Sequence, residues 1–112
     1  MPKVSKRTYS RLSTEAMLLL ARLIRAARIE QKLTPTELAE RAGISRSLLQ
    51  RIERGDMKCE IGVVFEVATL VGIPLFGADY ASLPGHIMRV EEKLALLPKT
   101  ARTLPVEVKD DF

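Results

Sequence analysis

The stretch Leu33–Gly55, LTPTELAERAGISRSLLQRIERG, leaves little freedom in local structure. Thr34 is an N-cap, Pro35 occupies the first helical position, and Glu37 three residues after the cap reaches back to free backbone N–H groups. That is a capping box with proline where its missing N–H costs least. Leu38, Ala39 and Ala42 give the first helix one apolar face, and Gly43 takes the left-handed conformation that stops it. Ile44 fills the turn and Ser45 caps the next helix. Leu49 and Ile52 point into the core, Leu48 stands at its margin, and Gly55 ends the unit. A helix, a short turn containing Gly and a second helix make a helix-turn-helix, whose second helix can lie in a DNA major groove.

A chain of 112 residues suits one domain with tails and a modest core, which a partner subunit often supplements. Aromatic residues make up 4% and Trp is absent, so the core must be built from small aliphatic side chains, as in a helix bundle. A single cysteine, Cys59, excludes an internal disulfide framework and a multi-cysteine zinc site, and points to a reducing, cytoplasmic setting. No secretory signal is expected ahead of the fold. The most apolar run, Ala16–Leu20, is too short to span a bilayer and meets Arg22 and Arg25 at once, so no membrane partner is expected.

The overall charge of +4 is unevenly spread. Residues 1–58 carry thirteen Lys and Arg against six Asp and Glu, whereas residues 59–112 carry five against eight. The basic half contains the two-helix unit. A positive face of this kind draws the phosphate backbone of nucleic acid and gives salt-dependent, sequence-independent affinity.

Along the chain, residues 1–13 read as a flexible basic arm, either reaching toward a nucleic acid backbone or free. Ser13 is the expected cap of a long helix to about Lys32, with Glu15 near its positive end. Leu20, Ile24 and Ala27 form its stripe, with Leu23 beside it and Arg22, Arg25 and Glu30 off it. Met17, Leu18 and Leu19 exceed what a one-sided helix needs and are assigned either to another subunit or to cover from the chain's own C-terminal segment. Asp56–Lys58 is a loop, and Ile61–Val71 a helix with Val64, Val67, Ala68 and Val71 inward and Gly72 as its stop. Ile73–Pro74–Leu75 is expected to open a short fifth helix to about Ala78. The resulting class is all-α: a five-helix domain over residues 14–79, followed by a C-terminal helix and tail.

Residues 80–98 hold an amphipathic helix opened by Pro84 and ended by Pro98. Ile87, Val90, Leu94 and Leu97 form its apolar face and are the expected partner-binding residues. Residues 99–112, KTARTLPVEVKDDF, are either a disordered tail or a docking peptide ending in Phe112, with Val106 and Val108 alternating as in a short edge strand. Enzyme chemistry finds no foothold. His86 stands alone, Glu91 and Glu92 diverge by about 100° on their helix, and no glycine-rich phosphate loop occurs. Cys59 beside Lys58 reads better as a partly buried structural thiol than as a nucleophile. No metal and no cofactor are expected.

The segment LIRAARIEQKLTPTELAERAGISRSLLQRIERG, with the following apolar helix ending in LVGIPL, resembles the Xre/Cro-type helix-turn-helix of phage repressors and bacterial regulators. The resemblance implies a Cro/lambda-repressor-like fold and a homodimer on double-stranded DNA with a pseudo-palindromic operator. It places base-reading positions at Arg46, Ser47 and Arg51, with Gln50 beside them. Arginine pairs bidentately with guanine, and Gln with adenine; for each arginine a phosphate contact is the alternative. Phosphate contacts fall to Thr34, Thr36, Arg54 and Lys58. Many members carry Gln where this chain has Pro35, so one expected contact is lost or moved. The resemblance also implies an ion pair between Arg28 and Glu53 that ties the first helix to the recognition helix.

The C-terminal segment, with LLPK, Arg102 and VEVKDDF, resembles HipB-type antitoxins that accompany HipA-like kinase toxins. It implies autorepression of an operon together with neutralisation of a toxin. A stand-alone phage-type regulator and a protein-interaction module that uses the fold as scaffold are the alternatives.

Overall fold

The computed structural model describes residues 7–77 and 82–99. They form five helices: α1 Arg11–Glu30, α2 Pro35–Ala42, α3 Arg46–Glu53, α4 Ile61–Leu70 and α5 Leu83–Leu96. No strand occurs among the described residues, so the class is all-α. The chain divides into a unit up to Gly77, holding α1–α4, and a unit from Ala78, holding α5.

The first unit is organised around α3. Ile24 of α1, Leu38 and Ala39 of α2, Leu49 and Ile52 of α3, and Val64, Val67, Ala68 and Val71 in and just beyond α4 share one buried cluster. Ile24, Leu38, Leu49, Ile52 and Val67 are the largest fully enclosed side chains. Each contributes about 1.5–3 kcal/mol by leaving water. None is aromatic, so short helices meet without bulky wedges between them.

Local chemistry sets the boundaries. At α2 the capping box is complete: the Glu37 N–H donates to Thr34 Oγ1 at 3.0 Å, and the Thr34 N–H to Glu37 Oε1 at 2.8 Å. Gly43 ends α2 at φ +71 with open space where a Cβ would stand, so the backbone conformation alone calls for glycine. Ser45 Oγ accepts from the Leu48 N–H at 3.0 Å and starts α3. Gly55 is constrained twice: φ is +83, and an added Cβ would meet Leu18 Cδ1 at 3.3 Å. At the other end of the unit, Gln31 Nε2 donates to the Val71 carbonyl at 2.9 Å and ties the end of α1 to the end of α4.

Several boundaries differ from the sequence expectation. Helix α1 starts at Arg11, because Ser10 rather than Ser13 is its cap; Ser10 Oγ accepts from the Ser13 N–H at 3.2 Å. Residues 11–13 are therefore helix, not arm, and residues 1–6 lie outside the described residues. The helix ends at Glu30, and Lys32 takes φ +61 where glycine is usual. Residues 73–77 are not the short helix expected there: Ile73 and Pro74 are irregular, Leu75 makes an isolated bridge, and Phe76 and Gly77 turn. Pro74 brings no N–H to a helical turn, and Phe76 and Gly77 both adopt positive φ, which a right-handed helix does not accommodate. The fifth helix is the later one, α5, with Pro84 in its first turn and Leu97 as its C-cap. The tail 100–112, with the Val106/Val108 strand and Phe112, lies outside the described residues.

Met17, Leu18 and Leu19 have three different fates. Met17 packs against the core, Leu18 lies beside Gly55 and is 40% exposed, and Leu19, 62% exposed, faces outward. Leu19 belongs to a second stripe of α1, Leu12, Ala16, Leu19, Leu23 and Ala26, spaced 4, 3, 4, 3, all of it exposed. In the second unit α5 buries no residue; Ile87, Val90, Leu94 and Leu97 are each about half exposed.

Candidate nucleic-acid interface

Helix α3 turns about 100° per residue, which sorts its side chains. Leu49, Ile52 and Glu53 are buried and Leu48 is half-buried against the core. The remaining arc carries Arg46, Ser47, Gln50 and Arg54, all exposed, with Arg51 half-buried at its edge. Among these five residues no carboxylate intervenes. The Ser45 cap satisfies the Leu48 N–H, so the positive end of α3 and the Arg46 and Ser47 side chains project from the same turn.

Arg51 is placed differently from Arg46. Its Nε donates to Asp56 Oδ2 at 2.8 Å, and Asp56 Oδ1 accepts the Lys58 N–H at 2.9 Å. The carboxylate fixes the guanidinium by one edge and the following loop by its other oxygen. The Nη groups of Arg51 make no hydrogen bond among the described residues, and theirs is the edge that pairs with guanine O6 and N7. Hydrogen bonds from Arg51 and from the Lys58 backbone hold the Asp56 carboxyl below its ordinary range. Beside it, burial pushes the Cys59 thiol up, the direction opposite to activation. Leu48, Arg51, Lys58, Cys59, Glu60 and Val63 line a cleft of about 340 Å³ on this flank of α3.

On the opposite flank lies a larger open cleft of about 450 Å³, lined by Arg22, Arg25, Arg28, Pro35, Gln50, Glu53 and Arg54. Arg28 and Glu53 form its floor. Arg28 Nε donates to Glu53 Oε2 at 2.7 Å and Nη2 to Oε1 at 3.1 Å, a two-pronged pair with both side chains about nine-tenths enclosed. Arg28 Nη1 also donates to the Leu33 carbonyl at 2.9 Å, so three elements meet on one guanidinium. Arg22 Nη1 caps the end of α3 through the Glu53 carbonyl at 2.7 Å. Sequence reasoning left Arg22 and Arg25 out of the site. Their spacing from Arg28, six and three residues back, was the available signal.

The expected phosphate positions surround this arc. Thr34, Thr36, Arg54 and Lys58 are exposed. The Thr34 hydroxyl is occupied as the cap acceptor, and Pro35 brings no donor. Thr36 therefore carries the first-turn N–H of α2 that finds no acceptor among the described residues. Among the described residues no group of three or more His, Cys, Asp or Glu side chains is placed to hold a metal ion, and no helix is long and apolar enough to cross a membrane.

Comparison with known proteins agrees with this geometry. Residues 24–76 match the helix-turn-helix family model, a range that takes in the end of α1, all of α2, α3 and α4, and the buried cluster. A curated relative from Sinorhizobium fredii, described as an uncharacterized HTH-type transcriptional regulator, y4dL, is 34% identical over 61 residues. The alignment takes in 54% of this chain but 31% of that protein, so the chain spans about a third of its curated relative. Capped α2, glycine turn and capped α3 have the geometry of a helix-turn-helix, and the sequence similarity over residues 24–76 agrees with it.

Proposed function

We propose that the protein is a cytoplasmic transcriptional repressor that binds double-stranded DNA sequence-specifically as a homodimer on a pseudo-palindromic operator. The observation that carries this reading is the exposed arc of α3, with Arg46, Ser47, Gln50 and Arg51 beside a capped positive helix end. The description of the relative as a transcriptional regulator supports it. In this reading Arg46 and Arg51 read bases, Ser47 and Gln50 add contacts in the groove, and Thr34, Thr36, Arg54 and Lys58 hold phosphates. Asp56 acts on the DNA only through Arg51, by holding its Nε so that the Nη edge faces the groove.

The test is binding of selected and random duplexes, measured by fluorescence anisotropy. Arg51→Ala is expected to cost about 1–3 kcal/mol on the selected site and to relax preference at one base pair. Uniform weakening on every sequence would move Arg51 to the phosphate class. Operator binding that survives alanine at Arg46, Ser47 and Arg51 together would end the reading and favour the interaction-module alternative.

The antitoxin role is a finer proposal within the same reading. It rests on the resemblance of the C-terminal segment to HipB-type antitoxins. The exposed apolar face of α5, Ile87, Val90, Leu94 and Leu97, offers a surface to a HipA-like kinase, with Phe112 at the end of the tail.

A further inference from the structure

The loop after α3 brings an anion back to a cation that the helix presents. Gly55 takes φ +83, and the chain reverses so that the Asp56 N–H donates to the Arg51 carbonyl at 3.1 Å. The Asp56 carbonyl accepts from the Cys59 N–H at 3.3 Å. The side chain is pinned as firmly as the backbone. One oxygen accepts from the Lys58 N–H two residues on, the local turn that aspartate favours, and the other from Arg51 Nε. An ion pair whose side chains are 39% and 28% exposed adds little to stability. Its consequence is directional: Arg51 cannot turn its Nε edge to anything else without giving up a fixed partner.

That constraint separates two kinds of acceptor. With Nε occupied, the end of the guanidinium offers Nη1 and Nη2. A guanine and a phosphodiester both accept from such an end. Charge tells them apart. The phosphodiester is an anion and meets a guanidinium whose charge is already opposed by the Asp56 carboxylate at 2.8 Å, so the pair gives it little net attraction. Guanine O6 and N7 are neutral acceptors that the carboxylate does not repel in this way, and they need only the direction of the donors, which the tether fixes. Arg46, on the same arc of α3, makes no ion pair among the described residues and has no such filter.

We propose that Asp56 is a positioning residue that sets the specificity of this interface: it withholds Arg51 from the phosphate backbone of random duplexes and reserves its Nη edge for a guanine. The role exists only in a chain that binds duplexes, and so rests on the DNA-binding reading above.

The test compares the wild type with D56N, which keeps the volume, loses the charge and accepts at one side-chain atom instead of two. Affinity of the full chain is measured against salt concentration for a selected duplex, for that duplex changed at each base pair in turn, and for a random duplex. D56N is expected to bind the random duplex more tightly, with a slope of log affinity against log salt steeper by about one. The penalty for changing one base pair, the same one that R51A relaxes, is expected to drop several-fold. In an R51A background D56N is expected to change that penalty no further. D56S is the second variant: its hydroxyl still accepts from the Lys58 N–H and keeps the turn while releasing Arg51, and it is expected to act as D56N does. If Asp56 only braces the loop, both variants change affinity by one factor on every duplex and keep the pattern of base-pair penalties, and that result overturns the proposal. A drop in the penalty that D56N still causes without Arg51 overturns it as well. A wild type that prefers no duplex over another fails the DNA reading and takes this proposal with it, whereas a selective wild type whose penalties D56N leaves intact overturns the proposal alone.

Discussion

At the scale of single residues, the pair with the clearest energetic consequence is Arg28 and Glu53. Each is about nine-tenths enclosed, and the two bonds between them run at 2.7 and 3.1 Å. Such a pair adds little net stability compared with an apolar pair of the same shape, but removing one member strands the other. Glu53→Gln keeps the volume and removes the charge, leaving the Arg28 guanidinium buried against a neutral amide. The expected loss is about 3 kcal/mol, read as a shift of the urea midpoint with the m-value unchanged. Arg28 also holds the Leu33 carbonyl just ahead of the α2 cap, so the variant should loosen the entry to α2 as well as the α1–α3 contact. An unchanged midpoint would mean that solvent reaches the pair. Arg51 teaches a different lesson. Its position on the helix was readable from spacing, whereas its tether to Asp56 was not, because the link depends on how the loop after Gly55 folds back.

At the scale of elements, what the sequence made legible was what local chemistry alone decides. The Thr34–Pro35–Glu37 box, the Gly43 stop and the Ser45 cap each act within four residues, and all three took the expected form. The start of α1 did not, because Ser10 and Ser13 are equivalent candidates three residues apart. The helix gains an extra turn, with an Arg11–Glu15 pair at 3.1 Å, when the earlier serine caps it. The end of the first unit also escaped, since Ile73–Pro74–Leu75 is apolar enough for a helix while Phe76 and Gly77 turn left-handed. The capping box makes a pH prediction of its own. The Thr34 backbone and hydroxyl hold the Glu37 carboxyl below its ordinary 4.5. A carboxylate whose folded pKa is lowered contributes stability in full above the unfolded value and loses it as pH falls through the folded one. Below about 4.5 the contribution of Glu37 should therefore fade, and Glu37→Gln should flatten that part of the stability–pH profile while leaving neutral and alkaline pH behaviour parallel to wild type. A profile of unchanged slope between pH 5 and 3 would remove Glu37 from the account.

At the scale of the whole molecule, α1 presents three faces with three occupants. Ala21, Ile24 and Arg28 go inward, Arg22 and Arg25 face the cleft, and Leu12, Ala16, Leu19, Leu23 and Ala26 point to water. The core stripe was visible in the sequence at once. The outer stripe was hidden because Met17, Leu18 and Leu19 read as one apolar run, and only packing separates them. Its 4, 3, 4, 3 spacing is that of a coiled-coil seam, a pattern that a second copy of the same helix can complement by symmetry. A two-fold dimer also presents two recognition helices to the two halves of a pseudo-palindrome, about 34–36 Å apart. The homodimer we propose is thus expected to close on α1, leaving α5 for another partner. Leu19, 62% exposed, is the position to change, since its replacement by a charge costs the isolated chain little. Leu19→Glu should shift sedimentation equilibrium to monomer with the helical content kept, and should weaken binding to a full operator far more than to a half-site. Leu94→Glu, on α5, should leave both unchanged. The reverse outcome, a monomer with Leu94→Glu and a dimer with Leu19→Glu, would move the dimer seam to the second unit and return the α1 stripe to solvent.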